Sequence, residues 1–163
     1  MAPTRMYRAN PIGPVLIIVH PGSACGSATF NLGANEARGA RTTLAQAITV
    51  WHGHLLVIDG FLSTELTAPV YATLGDALRN TLARCKTSGF VALRRKGEDP
   101  TQDAVAVTFL HRHRFAPETT PILLTGAWYD PANREGCVNS VRNTLAQASY
   151  HTTIAPSAVA VAA

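Results

Sequence analysis

The chain has 163 residues and a formal net charge of +4, and 47% of its residues are hydrophobic while 15% are charged. This length fits one domain, and the apolar share excludes an intrinsically disordered chain. The charge excess is small and forms no continuous basic face, which argues against a nucleic-acid-binding protein. The apolar runs are too short to cross a bilayer, so we expect no membrane partner.

The cysteine pattern indicates a reducing environment. Cys25, Cys85 and Cys137 make an odd count at wide spacing, which is unlike a disulfide framework or a paired-cysteine metal site. No secretory signal is visible in the sequence. We therefore expect a cytoplasmic protein that uses no cofactor and binds a small-molecule substrate.

The first half of the chain alternates between strand and helix patterns. Residues 14–20 form a continuous apolar, β-branched run that is typical of a fully buried strand. Residues 36–51 have the apolar spacing of a helix, and residues 53–59 repeat the buried-strand pattern. Pro69 suits the first turn of a helix, and residues 70–86 follow with leucines on one stripe.

The middle of the chain has a less uniform pattern. Residues 89–93 predict a third short strand, and residues 94–103 predict a polar loop. Residues 104–113 fit either a helix or a strand, because their apolar residues satisfy both periods.

The last third predicts a fourth strand at residues 122–125, a helix from Gly136 or Cys137 to residue 148, and a fifth strand at residues 150–154. Strands that alternate with helices imply βαβ units. We therefore predict an α/β fold, a three-layer Rossmann-like sandwich with a mainly parallel central sheet. This domain is expected to span residues 14–163, after a flexible tail at residues 1–13.

Reactive side chains follow the predicted strands. His20 and Asp59 end the first and second strands, Lys96 follows the third, and Cys137 opens the helix after the fourth. Parallel α/β sheets gather their sites at the carboxyl ends of the strands. The positive end of a helix dipole stabilises a thiolate, so Cys137 is the candidate nucleophile.

The same region offers the other groups that a cysteine nucleophile needs. The first N–H groups of a helix lack intrahelical partners, so the backbone at Gly136, Cys137 and Val138 can bind an oxyanion. Lys96 can supply positive charge near the thiol. His20 can accept or return a proton, because imidazole titrates near neutral pH. The structural alternative for each residue is packing or a solvated loop.

Several short stretches carry a family resemblance. They are residues 15–26 (VLIIVHPGSACG), residues 95–97 (RKG), and residues 123–127 (LLTGA) followed by residues 136–138 (GCV). Residues 150–158 add a similar final strand. With these motifs the chain resembles the isochorismatase-like cysteine hydrolases, a group that includes nicotinamidases.

The resemblance implies a mechanism. Cys137 would attack an amide-type carbonyl and form a thioester-like intermediate, and Lys96 would lower the pKa of the thiol. The family ends its first strand with a general-base aspartate, where this chain has His20. The family also has a cis peptide and oxyanion donors in the turn before the nucleophile, and residues 128–135 lengthen that turn here. Trp128 is a candidate substrate contact in this turn.

Other features of the resemblance concern metals and assembly. The metal ligands of the nicotinamidases have no match after the second strand, where Asp59 stands alone, so we expect no metal and assign Asp59 to substrate binding. Proteins of this fold often pair their subunits, which suggests a homo-oligomer.

Two other function classes remain open at this stage. The chain is alternatively a non-catalytic binding or assembly module of the same fold that has lost the aspartate. A third class is a phosphate-binding α/β protein that uses the small-residue loop at residues 22–27.

Overall fold

A computed structural model of the protein describes residues 11, 13–21, 34–59, 72–92, 101–132 and 136–160. Within these ranges, strands and helices alternate in chain order. The strands are β1 (Val15–Val19), β2 (His54–Asp59), β3 (Ser88–Ala92), β4 (Ile122–Tyr129), β5 (Thr152–Ile154) and β6 (Val159–Ala160). The helices are α1 (Ala34–Thr49), α2 (Ala72–Arg84), α3 (Thr101–Arg112) and α4 (Cys137–Gln147).

The strands form one parallel sheet in the order β3-β2-β1-β4-β5, and β6 pairs with the outer half of β4. One face of the sheet is covered by α3 and α4 and the other by α1 and α2. The predicted α/β, Rossmann-like sandwich is therefore confirmed. None of the helices in the described ranges has the length and apolarity that a membrane span requires.

The central strand β1 is buried on both faces, which explains its uninterrupted apolar sequence. Side chains alternate between faces along a strand. Val15, Ile17 and Val19 contact the cluster under α3 and α4, whereas Leu16 and Ile18 contact the cluster under α1 and α2. Each such buried aliphatic side chain contributes on the order of 1.5–3 kcal/mol of hydrophobic stabilisation.

The structure corrects the predicted boundaries around α3. The predicted loop at residues 94–103 is wrong at its carboxyl end, because α3 already begins at Thr101. The polar residues there form the first turn of the helix, where Thr and Asp are tolerated because they can hydrogen-bond the exposed backbone N–H groups. The ambiguous segment at residues 104–113 is helical up to Arg112.

The fourth strand is longer than predicted. It continues beyond Thr125 to Tyr129, so Trp128 belongs to β4 and not to the following loop. The extension has a pairing partner that the sequence did not predict, since Ala127 and Tyr129 pair with β6. The remaining predicted strands and helices agree with the structure to within a few residues, although Pro69 and Val70 lie outside the described residues.

Tyr150 connects α4 to the segment after α3. Its hydroxyl donates a 2.9 Å hydrogen bond to the backbone oxygen of Phe115, and its side chain is buried. Burial raises the pKa of the Tyr150 hydroxyl above its usual value, because the charged phenolate is poorly solvated there. Ionisation of Tyr150 at alkaline pH is therefore expected to destabilise the fold.

We expect Tyr150→Phe to lower the free energy of unfolding by about 1 kcal/mol at pH 7, because the Phe115 carbonyl loses its donor. Since the folded pKa is raised, the contribution of Tyr150 is complete below the usual tyrosine pKa and is lost as pH rises through the folded value. Urea unfolding of both proteins at pH 7 and above pH 10 should therefore show a smaller alkaline loss in the variant.

Tyr129→Phe is the matched control at pH 7, since no hydrogen bond found among the described residues uses the Tyr129 hydroxyl. An equal loss of stability in both variants at pH 7 would contradict the role of the Tyr150 hydrogen bond.

Candidate functional site

The carboxyl ends of β1, β2 and β4 meet at one edge of the sheet. β1 lies between β2 and β4, and Val19 is in register with Ile58 on one side and Gly126 on the other. His20 directly follows β1 and Asp59 is the last residue of β2. The structure thus brings these two predicted residues to the edge where the β4–α4 turn begins.

Gly126 allows β4 to pass the end of β1 at close range. Its φ of +104° lies in a region that favours glycine. A Cβ at this position would overlap the carbonyl oxygen of Val19. The backbone of β4 is therefore in direct contact with the last residue of β1, just before the chain turns towards α4.

The peptide bond between Ala127 and Trp128, within β4, is cis. The indole of Trp128 lies in the core under α1 and α2, and the residue is only 4% exposed. Trp128, the predicted substrate contact, is a strand residue whose side chain packs in the core.

Gly136, just before α4, lies against the end of β4. Gly136 has a φ of +93°, and a Cβ there would overlap the carbonyl oxygen of Trp128. The buried Asn139 side chain donates a 2.9 Å hydrogen bond to the Asp130 backbone oxygen. Asp130 in turn accepts a 2.8 Å hydrogen bond from the N–H of Ala132. These contacts place the start of α4 against the end of β4 despite the additional residues.

Cys137 is the first residue of α4 and is half-buried. It packs against the core cluster that α3 and α4 share. Gly136 is the N-cap, and no side-chain hydrogen bond caps the helix in this part of the structure. A helix start without a side-chain cap is a position where first-turn N–H groups can bind an anionic oxygen. Val138 is buried in the same core cluster, so only its backbone suits the predicted role.

His20 is buried and has an unusual backbone conformation. Its φ is +45°, which is uncommon for a residue with a side chain. Its backbone N–H donates a 2.7 Å hydrogen bond to the oxygen of Ile58. Non-glycine residues in this conformation cluster at functional turns. The imidazole is thus held at the carboxyl edge by a defined turn rather than by a free loop.

Part of the predicted site lies outside the described residues. Lys96 and the loop at residues 22–27 with Cys25 fall in this category. For Asp59 the structure describes the backbone, at the end of β2. Across the described ranges, no cluster of His, Cys, Asp and Glu has the arrangement of a metal site.

The structure adds one polar pair that sequence reasoning missed. The Ser140 hydroxyl in the first turn of α4 donates a 2.6 Å hydrogen bond to Oδ2 of Asp103 in the first turn of α3. A loop at residues 94–103, as the sequence predicts, gives no reason to expect this pair. A helix start at Thr101 would have placed Asp103 at the carboxyl edge, where the helices of βαβ units begin.

Comparisons with protein families, with curated proteins and with solved structures found no match to this chain. The assignment of the site therefore depends on the geometry and chemistry of its residues.

We expect Gly136→Ala to destabilise the fold by at least about 2 kcal/mol, because the new Cβ combines a positive φ with a backbone overlap. Gly39→Ala in α1 is the matched control. No atom lies within 4 Å of a Cβ at Gly39, so alanine there should stabilise the helix by about 0.5–1 kcal/mol. Urea denaturation measures both changes, and equal effects would disprove the contact between Gly136 and Trp128.

Proposed function

We propose that this protein is a small cysteine hydrolase that cleaves an amide-type C–N bond of a small molecule through a thioester intermediate. The nucleophile is Cys137. The observation that supports this function most directly is the position of Cys137. It is the first residue of α4, at a helix start that no described side chain caps, and it directly follows Gly136, which lies beside the Trp128 carbonyl. A thiolate is favoured at such a helix start.

The proposed reaction uses the edge as follows. The Cys137 thiolate attacks the carbonyl carbon, and the first-turn N–H groups of α4 stabilise the negative oxygen of the tetrahedral intermediate. The C–N bond then breaks and the leaving nitrogen takes up a proton. Water hydrolyses the thioester and restores the thiol. His20 accepts or returns a proton, and Lys96 is the proposed cationic neighbour.

A second candidate function follows from the residue at the end of β1. His20 replaces the acid that the isochorismatase-like resemblance leads one to expect. A chain that has lost this acid would keep the fold as a non-catalytic binding or assembly module. The reactivity of Cys137 separates the two functions, because a binding module does not need an activated thiol.

Cys85 provides an internal reference for that reactivity. It is half-buried like Cys137. Burial raises the pKa of the Cys85 thiol, and the charge of Arg84 opposes this change only in part. The thiolate fraction of Cys85 at neutral pH is therefore lower than that of an ordinary cysteine.

We expect iodoacetamide at pH 7 to alkylate Cys137 at least about tenfold faster than Cys85, since the rate follows the thiolate fraction. Peptide mass spectrometry after timed quenching measures each site separately. Cys137→Ser should abolish the fast phase, and Cys85→Ser should leave it unchanged. Labelling of Cys137 at or below the rate of Cys85 would contradict the hydrolase and favour the binding module.

A further inference from the structure

Asp103 lies at the start of α3, next to the helix that begins with Cys137. Both helices follow parallel strands and pack on the same face of the sheet, so their amino ends lie at the carboxyl edge. The Asp103 carboxylate accepts the 2.6 Å hydrogen bond of Ser140 through Oδ2. The positive ends of two helix dipoles favour a carboxylate at this position.

The second oxygen of this carboxylate has no donor. Oδ1 of Asp103 is buried, and none of the described residues forms a hydrogen bond with it. A buried carboxylate oxygen without a donor is unfavourable, and such atoms call for a ligand, a water or a catalytic role. The hydrogen bond to Ser140 fixes the carboxylate but satisfies only one of its oxygens.

The position of Ser140 relates this carboxylate to Cys137. The two residues are three positions apart on α4, and such residues are neighbours on a helix surface with Cβ atoms roughly 5–6 Å apart. Cys137 also packs against the core cluster to which α3 contributes Ala106 and Leu110, as do Val105 and Val107 of α3. Both observations place the thiol on the α3 side of α4, where Asp103 lies.

We propose that Asp103 is the acidic residue of this site and accepts the thiol proton of Cys137. This inference rests on the hydrolase function proposed above. It supplies from the start of α3 the carboxylate that is absent after β1. Asp103 would then be a catalytic residue, and Ser140 would be a positioning residue that holds it.

The proton balance of the reaction is complete with this residue. The thiol proton moves to the Asp103 carboxylate as the sulfur attacks the carbonyl carbon. Asp103 returns that proton to the leaving nitrogen when the C–N bond breaks. In the second step, water attacks the thioester, the C–S bond breaks, and the proton released by the water ends on the sulfur. The net reaction converts an amide and water into a carboxylic acid and an amine.

The test compares the pH profile of iodoacetamide labelling at Cys137 in the wild-type protein and in Asp103→Asn. A carboxylate beside a thiol disfavours the thiolate, so its removal should shift the labelling midpoint to lower pH by about one unit. Asp103→Glu keeps the charge, and its midpoint should stay within roughly 0.3 unit of the wild-type value. A purely structural role for Asp103 would not move this profile.

The other ionisable groups near this turn are unchanged in every variant. Among the described residues they are His20 after β1, Asp59 at the end of β2, Tyr129 at the end of β4 and Asp130 just after it. Lys96, the proposed cationic neighbour, is unchanged as well. Differences between the pH profiles of labelling therefore reflect the change at Asp103. The labelling rate of Cys85 in the same samples should remain constant, which controls for changes in reagent and folding.

Ser140→Ala provides a second variant if Asp103→Asn does not fold. It retains the carboxylate but removes the hydrogen bond that fixes it, so the midpoint should move in the same direction by a smaller amount. Unchanged midpoints in the folded variants, with rapid labelling of wild-type Cys137, would overturn the role of Asp103 and leave the hydrolase proposal intact. Slow labelling of wild-type Cys137 would overturn both.

Discussion

Direct contact of backbone with backbone at Gly126 and Gly136 determines the geometry of the β4–α4 turn. Gly126 lies against the last residue of β1, and Gly136 lies against the Trp128 carbonyl. Both residues have a positive φ, and at both a side chain would overlap the facing oxygen. Together they place the start of α4 beside the carboxyl ends of the central strands.

The backbone contacts at Gly126 and Gly136 explain how the start of α4 can lie near the strand ends although residues 128–135 lengthen the connection. Gly136 lies against the Trp128 carbonyl, and Asn139 in the first turn of α4 donates a hydrogen bond to the Asp130 carbonyl just after β4. These contacts hold the start of α4 beside the end of β4. The proposed chemistry uses three features of this region. They are the start of α4 without a side-chain cap, the half-buried Cys137 thiol, and two candidate proton carriers, His20 and Asp103.

The candidate proton carriers come from different structural elements. His20 follows β1, and Asp103 is in the first turn of α3. In a parallel sheet covered by helices, every strand end and every following helix start reaches the same edge. An acid can therefore be supplied to the edge by any of these elements. Function depends on the groups that meet there and not on the fold alone.

The strongest sequence signals predicted the fold correctly. β1 and β2 are continuous apolar runs because both faces are covered, and α1 has one apolar stripe. The sequence did not predict β6, whose two residues depend on pairing with a strand more than thirty positions away. The Asp103–Ser140 hydrogen bond was missed for the same reason, since it joins residues 37 positions apart. Local patterns do not contain such contacts.

The central claim is that the turn presents the Cys137 thiol to the groups at the carboxyl edge. A crystal structure that locates the Cys137 sulfur, the His20 ring and the Lys96 ammonium tests it most directly. We expect the sulfur to lie within about 6 Å of the His20 ring or the Lys96 ammonium, close enough for charge or hydrogen-bond contact. A sulfur farther than this from both His20 and Lys96 would contradict it.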